Sequence, residues 1–277
     1  MSYVKDYTNG HLLADVNEVE RYSLKEGAII IDARTKGFED GHIPGAVSLP
    51  SALTKSKDGI GIVPADLFTE LAQSAGINAN TTVIVYDEGD SVQATRLFYA
   101  LEYYGHADKV KVLNGGLAIW LRAGKPLSVE ETWQARGNFS ATPHPERFTG
   151  KNQLQRELND TSIVALDTRA IDEYRGDNLR NNARGGHIPG AVHLEWKDAV
   201  DRTVPEAPIF KSGAVLTEQF ESAGVLKEKT VVPYCQSNGR GAHTYFALRL
   251  LGYPNVRPYE GSWAEWGNSE DTEISLP

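Results

Sequence analysis

The stretch Gly41-His42-Ile43-Pro44-Gly45-Ala46-Val47 recurs unchanged as Gly186-His187-Ile188-Pro189-Gly190-Ala191-Val192. Seven identities in a row mark an internal repeat, and a repeat of this kind governs how the rest of a chain is read. Working outward, further pairs follow in the same order. Ile31-Asp32-Ala33-Arg34 answers to Leu166-Asp167-Thr168-Arg169, Ser74-Ala75-Gly76 to Ser222-Ala223-Gly224, and Val83-Ile84-Val85-Tyr86 to Val231-Val232-Pro233-Tyr234; Gly105 and Trp120 answer to Gly252 and Trp266. The spacing grows from 135 residues at Asp32 and Asp167 to 145 at His42 and His187. The second copy therefore carries about ten extra residues between its Asp and its His, and that insertion holds Arg175, Arg180 and Arg184.

Each copy alternates short apolar runs with stretches of three-to-four periodicity. The runs Ala28 to Ile31, Val47 to Leu49, the one ending at Tyr86, and Val110 to Leu113 read as strands. Leu67 to Ala75 and Val92 to Tyr104 read as helices. The second copy repeats this with strands at Ile163 to Leu166, Val192 to Leu194, the run ending at Tyr234, and Val256 to Tyr259, and with helices at Leu216 to Ala223 and Gly241 to Leu251. Strand and helix in alternation predict an α/β fold, each half a mainly parallel sheet flanked by helices. Residues 1–125 make one expected domain and 148–277 the other; 126–147, with Pro126, Pro143 and Pro145 and no sustained period, read as the linker.

Composition sets the outer limits. With 277 residues, 40% hydrophobic and 23% charged, the chain can bury a real core. A net charge of −9 argues against nucleic acid and anionic membrane as partners, which need basic patches. An anionic substrate must then be drawn in by a local cluster of cations. The N-terminus MSYVKDYTNGHLLADV has no charged start followed by an apolar core, and no run is apolar enough to span a bilayer, so a cytoplasmic location is expected. A single cysteine excludes an internal disulfide and a cysteine-rich metal site, and no metal is expected.

That cysteine carries the chemistry. In open parallel sheets, ligands bind beyond the carboxyl ends of the strands. There the second copy reads Tyr234-Cys235-Gln236-Ser237-Asn238-Gly239-Arg240-Gly241 and passes into a helix. Backbone amides of such a loop, the helix dipole and Arg240 would stabilise a thiolate and lower its pKa. The loop residues Gln236, Ser237, Asn238 and Gly239 are the expected walls of the site. A buried packing cysteine would need none of these features. The first copy has Asp87-Glu88-Gly89-Asp90-Ser91 at this place, where acidic groups should repel an anion, so that half is expected to be inert scaffolding. His42, His187, Asp32 and Asp167 occur in both copies and are read as shared architecture.

At these residues the chain resembles the rhodanese family of tandem-domain sulfurtransferases. Phe38-Glu39-Asp40-Gly41-His42-Ile43-Pro44-Gly45-Ala46 is similar to the family's N-terminal signature, an aromatic four residues before the His, and Val256 to Trp266 (VRPYEGSWAEW) is similar to its C-terminal signature. The second copy has Ala183 where the first signature has the aromatic, and Asn114-Gly115-Gly116-Leu117 is a partial form of the second signature. The resemblance implies a persulfide cycle on Cys235 without a cofactor. Sulfur would come from a donor such as thiosulfate and pass to cyanide, a thiol or a protein acceptor. Arg184 and Arg180, then Arg240, are the expected donor-binding cations, and Trp196 either walls the pocket or packs. The loop Cys-Gln-Ser-Asn-Gly-Arg is closest to that of bacterial-type thiosulfate sulfurtransferases, which favours thiosulfate over 3-mercaptopyruvate as donor. Two other classes are weaker. Phosphatases and arsenate reductases of related fold place five residues between Cys and Arg, against four here, and a non-catalytic interaction module would not need the cysteine.

Overall fold

The apolar runs of each copy become parallel strands of one sheet, and the amphipathic stretches cover its two faces. The computed structural model describes residues 6–23 and 27–277; the reading of the N-terminus falls partly on residues 1–5, outside them. The first copy runs β1 (Leu13–Ala14), α1 (Val16–Ser23), β2 (Ala28–Asp32), β3 (Ala46–Ser48), α2 (Ala65–Ser74), β4 (Thr82–Tyr86), α3 (Val92–Tyr103), β5 (Val110–Leu113) and α4 (Gly116–Arg122). Its strands pair in the order β1-β5-β4-β2-β3, all parallel. The interior residues of β2 and β4 are buried, as sheets covered on both faces require.

The second copy runs α5 (Lys151–Glu157), β6 (Ile163–Asp167), α6 (Ile171–Arg175), β7 (Val192–His193), β8 (Val200–Asp201), β9 (Ile209–Phe210), α7 (Gly213–Ser222), β10 (Thr230–Tyr234), α8 (Gly239–Leu250) and α9 (Ser262–Trp266). Here β10, β6 and β7 form the parallel core. The strand expected at Val256 to Tyr259 is reduced to isolated bridges, Val231 with Val256 and Thr149 with Tyr259. Pro233 is the physical reason. Val231 N–H donates to Asn255 O, Arg257 N–H to Val231 O and Tyr259 N–H to Pro233 O, but Pro233 has no N–H to return. The Arg257 carbonyl takes the Thr149 hydroxyl at 2.9 Å.

The repeated heptapeptide closes the same turn twice. Ala46 N–H donates to Ile43 O, and Ala191 N–H to Ile188 O. Tyr86 Oη accepts from Ile43 N–H and Tyr234 Oη from Ile188 N–H, tying each turn to its central strand. His42 Nδ1 bonds Phe38 O and its ring stacks on Phe38 at 3.9 Å; His187 Nδ1 bonds Tyr174 O and its ring stacks on Tyr174 at 3.8 Å. The aromatic read as missing at Ala183 is therefore Tyr174, displaced thirteen positions upstream of the histidine because the insertion loops out between them. Asp32 and Asp167 each hold the arginine two residues on, Arg34 and Arg169. Both pairs, like both histidines, serve the turn.

The two halves meet along α3 and α8. Phe98 packs edge-on against Phe246 at 4.7 Å and Tyr99 against Tyr245 at 5.3 Å, and one continuous apolar cluster runs through both domains. The buried Glu102 carboxylate accepts from Tyr245, Arg249 and Arg147 across this seam. Residues 126–147 lie as a strap along the first domain, with Gly137 N–H on Gln73 O, Phe139 N–H on Ile77 O and His144 N–H on Tyr103 O. No helix of the described residues is long and apolar enough to cross a membrane.

A shared core predicts shared unfolding. The chain should lose structure in a single urea transition, and Phe246→Ala should lower its stability by about 3–5 kcal/mol. Two separated transitions in the parent protein would contradict the continuous core.

Candidate active site

Strand β10 ends at Tyr234, and Cys235 is the first residue beyond it, only 2% exposed. Three residues later Asn238 caps α8 from the left-handed region at φ 53°. This sharp entry turns the N–H groups of Ser237 and Gly241 toward the cysteine sulfur. Gly241 is required there: a Cβ would stand 2.6 Å from Asn238 Oδ1. Burial pushes the Cys235 thiol up, but Arg240, the two N–H groups and Lys55 outweigh it, so the pKa is lowered overall. A buried sulfur with donors and cations around it is built for the anion.

The first domain shows what this arrangement holds. Asp87 occupies the position of Cys235, and its Oδ1 accepts from the N–H groups of Gly89 and Ser91 while its Oδ2 accepts from Gln93 and Ala94. Burial and neighbouring Asp90 push its pKa up to about 6 against the pull of those donors, so at neutral pH a carboxylate fills the nest. The expectation that the acidic loop merely repels anions is thus corrected. Asp87 is itself the bound anion, tethered.

A short helix closes the site from behind. Trp263 N–H donates to Cys235 O and Ala264 N–H to Gln236 O, as Leu117 N–H does to Asp87 O and Ala118 N–H to Glu88 O in the first copy. Ser262 sits at φ 52°, where its first-domain counterpart is Gly116. A Cβ on Gly116 would lie 2.5 Å from Asp87 O, whereas the second domain leaves room for a hydroxyl. Ser262 Oγ accepts from Cys235 N–H and Asn238 N–H and donates to Tyr259 O. It fixes both ends of the loop, at a backbone conformation that costs energy and is retained where structure over-determines it.

The first domain also reaches into this site, so its expected role as inert scaffolding is incomplete. Arg96 on α3 makes a two-pronged pair with Glu260 at 2.7 and 2.8 Å, and Glu260 Oε2 accepts from Asn238 Nδ2. Lys55 donates to Ser237 O and lies 3.6 Å from Glu260.

Of the residues named from sequence, the structure gathers Cys235, Gln236, Ser237, Asn238, Gly239 and Arg240 into one loop. Gln236 exchanges amide bonds with Asn182 of the insertion, at 2.9 and 3.0 Å. A Cβ on Gly239 would meet only Val92 of the first domain, at 3.7 Å. Arg240 makes a two-pronged pair with Glu173 on α6. Arg180, half exposed, stands 3.8 Å from the same Glu173 carboxylate. Trp196 is buried edge-on against His243 at 5.1 Å, with Arg202 over its ring, so what the structure shows of it is packing.

Arg184 is a correction. Its guanidinium donates to the carbonyls of Trp266, Gly267, Ser269 and Thr272 and to the Thr272 hydroxyl, which engages it on the C-terminal segment. It fastens the chain after α9. What the insertion offers the loop is Asn182. Sequence reasoning missed Asn182, Glu173, Lys55, Arg96, Glu260 and Ser262; only Ser262 carried a signal, as Gly261-Ser262 in place of Gly115-Gly116.

The rhodanese-like domain family matches the chain twice, over residues 15–123 and 151–269. The chain belongs to the rhodanese family. Among its rhodanese relatives are a thiosulfate sulfurtransferase of Azotobacter vinelandii, 33% identical over 90% of this chain and 91% of that protein, and the sulfur carrier protein TtuD of Thermus thermophilus, 34% identical over 95% of each. Among solved structures, an anaerobic ergothioneine biosynthesis enzyme from Chlorobium limicola superposes with a TM-score of 0.88 at 22% identity, over 98% of this chain and 71% of that one. This last likeness concerns the rhodanese fold.

Two outcomes follow. Arg184→Ala should lower stability by about 2–4 kcal/mol, from the loss of charge-assisted bonds, while leaving the alkylation rate of Cys235 by iodoacetamide unchanged; an altered rate with unchanged stability would return Arg184 to the site. Asp87→Ala should destabilise the chain by about 2 kcal/mol or more by stranding buried N–H groups, measured by urea titration, and a neutral result would mean the nest needs no anion.

Proposed function

We propose that the protein is a sulfurtransferase that carries a sulfane sulfur on Cys235. The observation that carries this reading is the pair of nests: the same amide cradle holds a carboxylate anion in the first domain and a reactive sulfur in the second.

The thiolate attacks the sulfane sulfur of thiosulfate. A bond forms between Cys235 Sγ and that sulfur, the S–S bond of thiosulfate breaks, and sulfite leaves with the electron pair. In the second half an acceptor such as cyanide takes the outer sulfur as thiocyanate and the thiolate returns, so the cycle is ping-pong covalent catalysis with no cofactor. The negative terminal sulfur of the persulfide is the species the Ser237 and Gly241 N–H groups would hold. With Arg184 committed elsewhere, Arg240 at the loop's end and half-exposed Arg180 beside Glu173 are the cations for the donor's sulfonate-like end. The names of the Azotobacter and Thermus relatives support thiosulfate as donor and leave room for a protein as acceptor.

Thiosulfate should add one sulfur atom to the intact protein, seen by mass spectrometry, and Cys235→Ser should abolish the adduct. An adduct surviving that substitution, or none on the parent, would contradict the reading, and hydrolysis of an aryl phosphate would favour phosphatase chemistry instead. The pH dependence has a fixed sign. Because the Cys235 pKa is lowered, sulfur loading should rise with pH along a titration whose midpoint lies below that of a free thiol, since the protonated thiol is not a nucleophile. A midpoint at or above that value would mean burial dominates.

A further inference from the structure

Each buried carboxylate around the Cys235 loop has an arginine of its own. Glu173 pairs with Arg240, Asp167 with Arg169 and Glu260 with Arg96. Arg240, although paired with Glu173, is still the cation that acts most strongly on the Cys235 thiol, and Lys55 adds to it. Arg180 is half exposed and its charge is screened by water. Among the described residues around the loop, Lys55 is the cation left without a carboxylate of its own: its side chain is 19% exposed, it donates to the Ser237 carbonyl, and it only shares Glu260 at 3.6 Å with Arg96.

We infer that Lys55, contributed by the first domain, is a counter-ion that acts with Arg240 to balance the Cys235 thiolate and the persulfide after it, so that docking of the two domains adds to the charging of the second domain's nucleophile. The inference rests on the sulfurtransferase reading for its purpose, but its geometry is independent of it. Lys55 follows the 3-10 turn Ser51–Thr54 and is held by an antiparallel bridge to Ile62. Thr54 in that turn accepts from Arg96 Nε at 3.0 Å, so the turn, α3 and Glu260 fix where the lysine can reach. The Ser237 carbonyl it binds belongs to the peptide just beyond the one whose N–H faces the sulfur. Lys55 is thus a positioning residue for the loop as well as a charge behind it.

The energetics agree with a matched pair. Burial and the adjacent Arg96 push the Lys55 pKa down to about 8, against the pull of Glu260 and Cys235. Lysine in this state is costly to keep charged unless anions are near; Glu260, shared with Arg96, is one and the thiolate is the other. Losing the Lys55 charge should therefore raise the thiol pKa, and losing the thiolate should make Lys55 easier to deprotonate.

The test uses the chain's single cysteine, whose thiolate can be titrated by its ultraviolet absorbance without interference from another thiol. In Lys55→Gln, which keeps a donor for the Ser237 carbonyl but not the charge, the thiol midpoint should move up by about one unit, with about tenfold less thiolate on the acid side of the titration and a matching shift in the pH dependence of iodoacetamide alkylation. Lys55→Arg should restore most of the parent midpoint. If Lys55→Gln fails to fold, Lys55→Met is titrated in its place. An unchanged midpoint in a folded charge-removed variant, or an equal upward shift in Lys55→Arg, overturns the inference. None of these readouts requires sulfur transfer: a parent protein that takes no sulfur from thiosulfate but shows the Lys55-dependent midpoint contradicts the function alone, and the reverse result contradicts the counter-ion alone.

Discussion

The N–H groups at the entry to α3 converge on one point, and those at the entry to α8 converge on its equivalent. Buried donors of this kind must be satisfied, and the helix dipole behind them favours a negative partner. In the first domain the sequence supplies that partner covalently, as the Asp87 carboxylate. In the second the same place is taken by the Cys235 sulfur, whose pKa these groups lower. The tight left-handed caps, the glycine at 241 and the Ser262 hydroxyl that pins both ends of the loop all serve to keep those N–H groups aimed at one place.

The domains also cover one another's loops reciprocally. The 55–62 turn of the first domain lies against the Cys235 loop through Lys55, and the β8-β9 hairpin of the second lies against the Asp87 loop through Glu206, with Phe210 N–H donating to Asn114 Oδ1 at 3.0 Å nearby. Asn114 is the counterpart of Glu260. A neutral amide meets a backbone N–H beside the Asp87 loop, and a carboxylate meets Arg96 and Lys55 beside the Cys235 loop. Duplication gave both sides the same scaffold, and side-chain identity at these few positions separates their chemistry.

Much of this was legible in the residues. Seven repeated letters gave the two-domain plan, because a turn closed by Pro and Gly and tied to a strand tyrosine tolerates little change. Cys235 stood out against Asp87 at the same place. What could not be read was pairing across long separations. Arg184 and Arg180 looked alike as members of an arginine-bearing insertion, and only folding shows that one is spent on the carbonyls after α9. Lys55 and Arg96 lie more than 130 residues before the loop they serve, on a half whose own loop carries Asp87 where the other carries Cys235, so nothing local marked them. The Val256 to Tyr259 run has strand-like residues, and Pro233 on its neighbour withholds the N–H that would complete the ladder.

The account stands on a negative sulfur held by backbone N–H groups, and a crystal structure of the protein after treatment with thiosulfate tests it most directly. The account predicts one added sulfur bonded to Cys235 Sγ, with its outer atom within about 3.5 Å of the Ser237 or Gly241 nitrogen. An unmodified cysteine, or an added sulfur turned away from those N–H groups, would contradict it.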